Sequence, residues 1–143
     1  MRISVEPSRE PVDYPFHHRI RVRFAETDAM QIVHHGRYLP YLEEARVAYL
    51  RHLGHPYSEW RDQGTDSAVL EVHMRYVAPL RFDDEFDVHT ALADVTRTTF
   101  QIAYLLTRGD EVCATAVTAH GLLNAAGRPI RLPAWLTALG GRA

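Results

Sequence analysis

The sequence predicts an α+β domain: an antiparallel sheet of about five strands wrapped around one long central helix. Three observations predict it. Residues 18–25 alternate, with Ile20, Val22 and Phe24 on one side and Arg19, Arg21 and Arg23 on the other. Over 36–53 the apolar spacing changes to threes and fours. Between 70 and 123 four more alternating stretches follow, divided by turn residues. Alternation with period two marks a half-buried strand, and the longer spacing marks an amphipathic helix. A sheet with one buried face needs a cover, and only the segment 36–53 is long enough to supply it.

The elements follow in order. Residues 1–14 carry Pro7, Pro11 and several charges without periodicity, and they read as a loose leader ahead of a single domain over 15–143. After the first strand, Leu42, Ala45, Ala48, Tyr49 and Leu53 form one helical stripe, with Glu43, Arg46, Arg51 and His52 outward. The helix spans about 18 residues, roughly 27 Å at the α-helical rise. Pro40 fits only its first turn, and Gly54 followed by Pro56 ends it. Residues 55–67 read as a connection with a short helical piece at 58–62. Four strands then carry the stripes Leu70/Val72/Met74/Tyr76, Phe86/Val88/Thr90/Leu92 and Phe100/Ile102/Tyr104/Leu106, and the β-branched run 112–123. Thr96-Arg97 and Arg108-Gly109-Asp110 suit hairpin turns, and Ala78-Pro79 to Asp84 is a longer link. A terminal helical turn starts at Pro133, with Trp135, Leu136 and Leu139 as its apolar side.

Composition narrows the function. The 143 residues have a formal net charge of -2, so no basic excess points to nucleic acid. No stretch has the apolar length of a membrane span, and the first residues lack a signal-peptide core, so the expected location is cytoplasmic. The single Cys113 lies in a strand-like stretch without an adjacent His or Lys, as a small core residue would. The pairs His17-His18 and His34-His35, with His52 and His55, are not expected to bind metal, because adjacent histidines usually diverge and zinc needs three or four convergent ligands.

The chemistry concentrates in the segment from Glu26 to Tyr38, which leads from the first strand into the helix. Asp28 stands at that junction, seven residues before His35. Helix starts carry unpaired backbone N–H donors and partial positive charge. A carboxylate beside such donors is placed to attack a carbonyl, or to direct water at it, while the donors hold the oxygen.

The order of elements, joined to Thr27-Asp28-Ala29-Met30-Gln31-Ile32-Val33-His34-His35-Gly36-Arg37-Tyr38 and then Glu43-Glu44-Ala45-Arg46, resembles the hot-dog-fold acyl-CoA thioesterases, in particular the 4-hydroxybenzoyl-CoA thioesterase and YbgC/FadM-like group. Pro79 with Phe82-Asp83-Asp84-Glu85 resembles that family's link between later strands. The resemblance implies hydrolysis of a thioester to a free acid and CoA. Asp28 is then general base or nucleophile, and the backbone N–H at His35 polarises the carbonyl. The His35 side chain is implied to orient water or bind substrate, and Tyr38 to border the pocket. Two positions depart from the family. Gln31 stands where glycine is usual, so it alters the local path or narrows the substrate pocket; Phe24 replaces a tyrosine found in some members, so a helper hydroxyl is absent. The family also implies a homodimer or homotetramer with sites between protomers. It implies no metal and no cofactor beyond the CoA of the substrate, which an acyl carrier protein can replace. Two rivals remain: a hydratase or dehydratase of acyl thioesters on the same fold, and a non-catalytic acyl-CoA-binding protein.

Overall fold

In chain order, a 3-10 turn at Pro11–Asp13 precedes strand β1 (Phe16–Arg21). Two further 3-10 turns, Phe24–Glu26 and His35–Arg37, lead into helix α1 (Tyr38–His52). Then come α2 (Tyr57–Asp62), β2 (Asp66–Tyr76), β3 (Glu85–Val95), β4 (Thr99–Arg108), β5 (Glu111–Leu123), β6 (Pro129–Ile130) and α3 (Ala134–Leu139). The computed structural model describes residues 2–140. The sheet order is β1-β3-β4-β5-β2, antiparallel throughout, with the short β6 added on β5. This is the expected α+β hot-dog architecture. The two-residue β6 is too short to show a period in the sequence.

The sheet wraps α1. Tyr38, Tyr41, Leu42, Ala45 and Tyr49 form the buried stripe of the helix, and they share one core with Ile20, Phe86, Val88, Ile102 and Tyr104. Ala45 is fully buried, so the helix can lie close on the strands. Helix α1 stops where Gly54 takes φ +88°, and His55 N–H donates to the Leu50 carbonyl. That bond satisfies a carbonyl the last turn would otherwise leave open. Cys113 is buried in the same core.

Three features differ from the sequence reading. Phe24 does not continue the buried stripe: β1 ends at Arg21, the chain turns, and Phe24 is 75% exposed. Strand β2 is an edge strand with a bulge between Val69 and Glu71, so Leu70, Val72 and Tyr76 are largely exposed and only Met74 packs on the core. The segment read as a loose leader lies against the sheet's outer face. Glu71 accepts the N–H groups of Arg2 and Ile3, Gln101 bonds Ser4 and the Arg2 carbonyl, and Tyr14 packs with Ala91, Ala103 and Leu105. This cover explains why β4 and β5 are buried on both faces. Among the described residues no helix is long and apolar enough to cross a membrane.

Candidate active site

The connection from β1 to α1 holds most of the predicted residues. It is pinned at several points. Val22 exchanges backbone hydrogen bonds with Asp83 and Asp84, Thr27 bridges Val33, and Ile32 bridges Arg81. Inside this frame Asp28 to Gln31 form a tight turn, with Gln31 N–H donating to the Asp28 carbonyl at 2.9 Å. The Asp28 carboxylate accepts the Met30 N–H through Oδ1 at 2.8 Å, the usual Asx-turn bond. Asp28 therefore sits on a turn ahead of the helix rather than on the helix start itself.

Gln31 has φ +65°. A left-handed residue is what a glycine at this position would provide. Gln31 itself takes that left-handed conformation, so a side chain is carried in a conformation that costs roughly 1–2 kcal/mol for a non-glycine residue.

His34 caps the next turn. Its Nδ1 accepts the Gly36 N–H at 3.0 Å, and its carbonyl accepts the Arg37 N–H at 2.8 Å. The His35 carbonyl accepts the Tyr38 N–H and, at 3.1 Å, the Tyr76 hydroxyl. Among the described residues nothing accepts the His35 N–H. A Cβ at Gly36 would lie 3.2 Å from the His34 ring, so that ring would have to shift by a few tenths of an ångström to admit one. The His34 and His35 rings lie 4.2 Å apart between centroids. Among the described residues no group of three or more histidine, cysteine or acidic side chains is close enough to hold a metal ion.

Asp28, His35 and Tyr38 line one cleft of about 410 Å³ with Tyr76, Val77 and Pro79. Tyr38 is almost fully buried and contacts Tyr76 edge-on at 5.0 Å. Burial pushes its hydroxyl up to about 12, so it stays protonated at neutral pH. Gln31 does not reach this cleft. It faces a neighbouring concavity that also has Asp28 on its wall.

Two buried polar features were not singled out in the sequence. Glu26 accepts the Arg23 N–H, the Arg23 Nε and the Tyr41 hydroxyl at 2.8, 2.6 and 2.8 Å, while its carbonyl accepts the His34 N–H. Burial opposes its ionisation, but these donors and the Arg23 charge outweigh it and hold the carboxyl below the usual range. Glu26 thus ties the Asp28 loop to α1. Its position inside the motif was a signal, but Tyr41 lies fifteen residues on. The second feature is a chain of contacts from Arg46 through the Tyr104 hydroxyl, Thr118 and the His120 ring to Ser67. His120 stacks on Phe100, and burial, then the nearby Arg46 charge, push its imidazole down to about 3.

The family model described as the thioesterase-like superfamily matches residues 22–139. The chain belongs to the thioesterase-like superfamily. A relative from Haemophilus influenzae, named acyl-CoA thioesterase YbgC, is 31% identical over 98 residues, covering 68% of this chain and 72% of its own. The crystal structure of a hypothetical protein from Aquifex aeolicus is 40% identical, with a TM-score of 0.83 over 87% of this chain and 98% of that one. A DHNA-CoA thioesterase structure from Staphylococcus aureus is 27% identical, with a TM-score of 0.81 over 86% of this chain and 91% of that one. This member of the thioesterase-like superfamily is accordingly a hot-dog thioesterase, and the Asp28–His35 cleft lies within the matched region.

Proposed function

We propose that this thioesterase hydrolyses acyl-CoA thioesters, with Asp28 as general base or nucleophile and the His35 N–H as the oxyanion donor. One observation supports the reading: Asp28, with one carboxylate oxygen committed to Met30, and His35, whose N–H has no partner among the described residues, line the same cleft. As general base, Asp28 takes a proton from water while the water oxygen bonds to the carbonyl carbon. As nucleophile, its own oxygen bonds to that carbon and water later cleaves the mixed anhydride. Either way the carbonyl oxygen gains negative charge, and a fixed backbone donor stabilises it there. The carbon–sulfur bond then breaks, the thiolate leaves, and it takes up a proton. Thiols ionise near pH 8.5, so this leaving group needs little assistance.

The buried Tyr38, with Tyr76 and Pro79, gives the acyl group an apolar wall, and the side chain of His35, which also lines the cleft, orients water or binds substrate. Self-association belongs to the same reading. Edge strand β2 exposes Val69, Val72 and Tyr76, which suits pairing with a second copy as a homodimer or homotetramer. An acyl carrier protein can present the same thioester in place of CoA.

The test is incubation of the protein with a panel of aromatic and aliphatic acyl-CoAs and one enoyl-CoA, read for free thiol and for enoyl absorbance. Thiol release from at least one saturated ester supports the reading. Loss of enoyl absorbance without thiol release would instead favour the hydratase.

A further inference from the structure

The concavity on which Gln31 opens holds about 500 Å³ and is lined by Phe24, Thr27, Asp28, Gln31, Arg81 and Phe82. Phe24 and Phe82 meet edge to face at 5.7 Å, yet they are 75% and 56% exposed. Two bare phenylalanines beside a candidate catalytic carboxylate bury little of their own surface, so their placement does little for folding. Both are held by the frame of the site. Phe24 opens the 3-10 turn ahead of Thr27, and Phe82 follows Arg81, whose backbone bridges Ile32 and bonds Asp84. The neighbouring acid Asp83 is paired with Arg21, whereas among the described residues the Arg81 guanidinium makes no ion pair. The His35 cleft contrasts with this surface: its lining is mostly apolar and has no lysine or arginine.

We propose that the Phe24–Phe82 concavity seats the pantetheine and phosphate arm of the CoA ester, leaving the acyl group to the His35–Tyr38 cleft. The two depressions share Asp28, so a substrate lying across both puts its thioester beside that carboxylate. The chemistry of the arm matches the lining. Its branched dimethyl carbons and adenine suit the aromatic pair, its amides suit the Gln31 side chain, and its phosphates suit Arg81. A left-handed Gln31 then has a use a glycine would not, because its side chain adds an amide donor and acceptor for those groups.

This inference rests on the thioesterase reading, and the experiment separates the two. Wild type, Arg81→Glu and the double variant Phe24→Ala/Phe82→Ala are assayed on one acyl-CoA and on the N-acetylcysteamine thioester of the same acid, which lacks the phosphates and most of the arm. The expected result is a rise in KM for the CoA ester of about tenfold for Arg81→Glu. The loss in kcat/KM should exceed that on the truncated ester by a similar factor, with kcat on the CoA ester retained. Equal losses on both esters, or none on either, would overturn the proposal. So would a change of oligomeric mass in the double variant, which would make the aromatic pair a subunit contact. If wild type turns over neither ester, calorimetry with free CoA still decides: binding weakened by Arg81→Glu supports the arm site, and no binding or unchanged binding overturns it.

Discussion

Gln31 holds a φ of +65° that glycine would hold without a steric penalty. Replacing it with glycine relieves that penalty but gives the unfolded chain more freedom, so the two effects nearly offset. We expect Gln31→Gly to change stability by less than about 1 kcal/mol and Gln31→Val to lose more than that, both read from urea midpoints. Equal midpoints for glycine and valine would show that the turn is not held in the left-handed region. Glu26 has the opposite character, since its partners are what fix the Asp28 loop. Glu26→Ala leaves the buried Tyr41 hydroxyl without its acceptor, while the exposed Arg23 returns to solvent; we expect a loss of about 1–3 kcal/mol in chemical denaturation, with turnover falling as well. His120 gives a pH signature. Its folded-state pKa is depressed to about 3 from an ordinary 6.5, so below 6.5 the unfolded chain binds the extra proton and the folded one does not. Stability from this residue is full above pH 6.5 and is lost as pH falls from there towards 3. Glu26, also depressed, adds its loss only below the ordinary carboxylate range near 4.5. A His120→Asn variant should show a flatter stability profile between pH 6.5 and 5 than wild type; equal slopes would contradict the assignment.

At the scale of the elements, strong periodicity was the legible part. The stripe from Leu42 to Tyr49 gave α1 nearly to its ends, because Gly54 and Pro56 stop it chemically. The stripes from Phe86 and from Phe100 gave β3 and β4, because those strands lie on the core. Alternation misled where a strand stopped early or lay at an edge. Phe24 extends a pattern that the chain has already left, and β2 carries an inner-face pattern without protomer atoms to cover it. The leader gave no periodic signal because it docks through single contacts, such as Glu71 with two N–H groups and Tyr14 on Leu105. In the site, Asp28, His35 and Tyr38 are close in sequence and came together, whereas Arg81 and Phe82 reach it from the β2–β3 link. No local pattern reports such a meeting.

For the whole molecule, the outer edge of β2 is, beside the Phe24–Phe82 pair, an exposed apolar feature that folding leaves unexplained. A charge at its centre tests whether a second copy covers it. We expect wild type to run as a dimer or tetramer in sedimentation velocity, and Val72→Lys to shift it towards monomer with its circular dichroism retained. A wild-type monomer at micromolar concentration would remove the partner from the account. The central claim is narrower, and Asp28→Asn tests it most directly. Asparagine keeps an oxygen to accept the Met30 N–H, so the turn should hold and the thermal midpoint should stay within a few degrees. With an acyl-CoA that wild type hydrolyses, single-turnover thiol release should fall by at least about a hundredfold. Near-normal release by the folded Asp28→Asn variant would contradict the account.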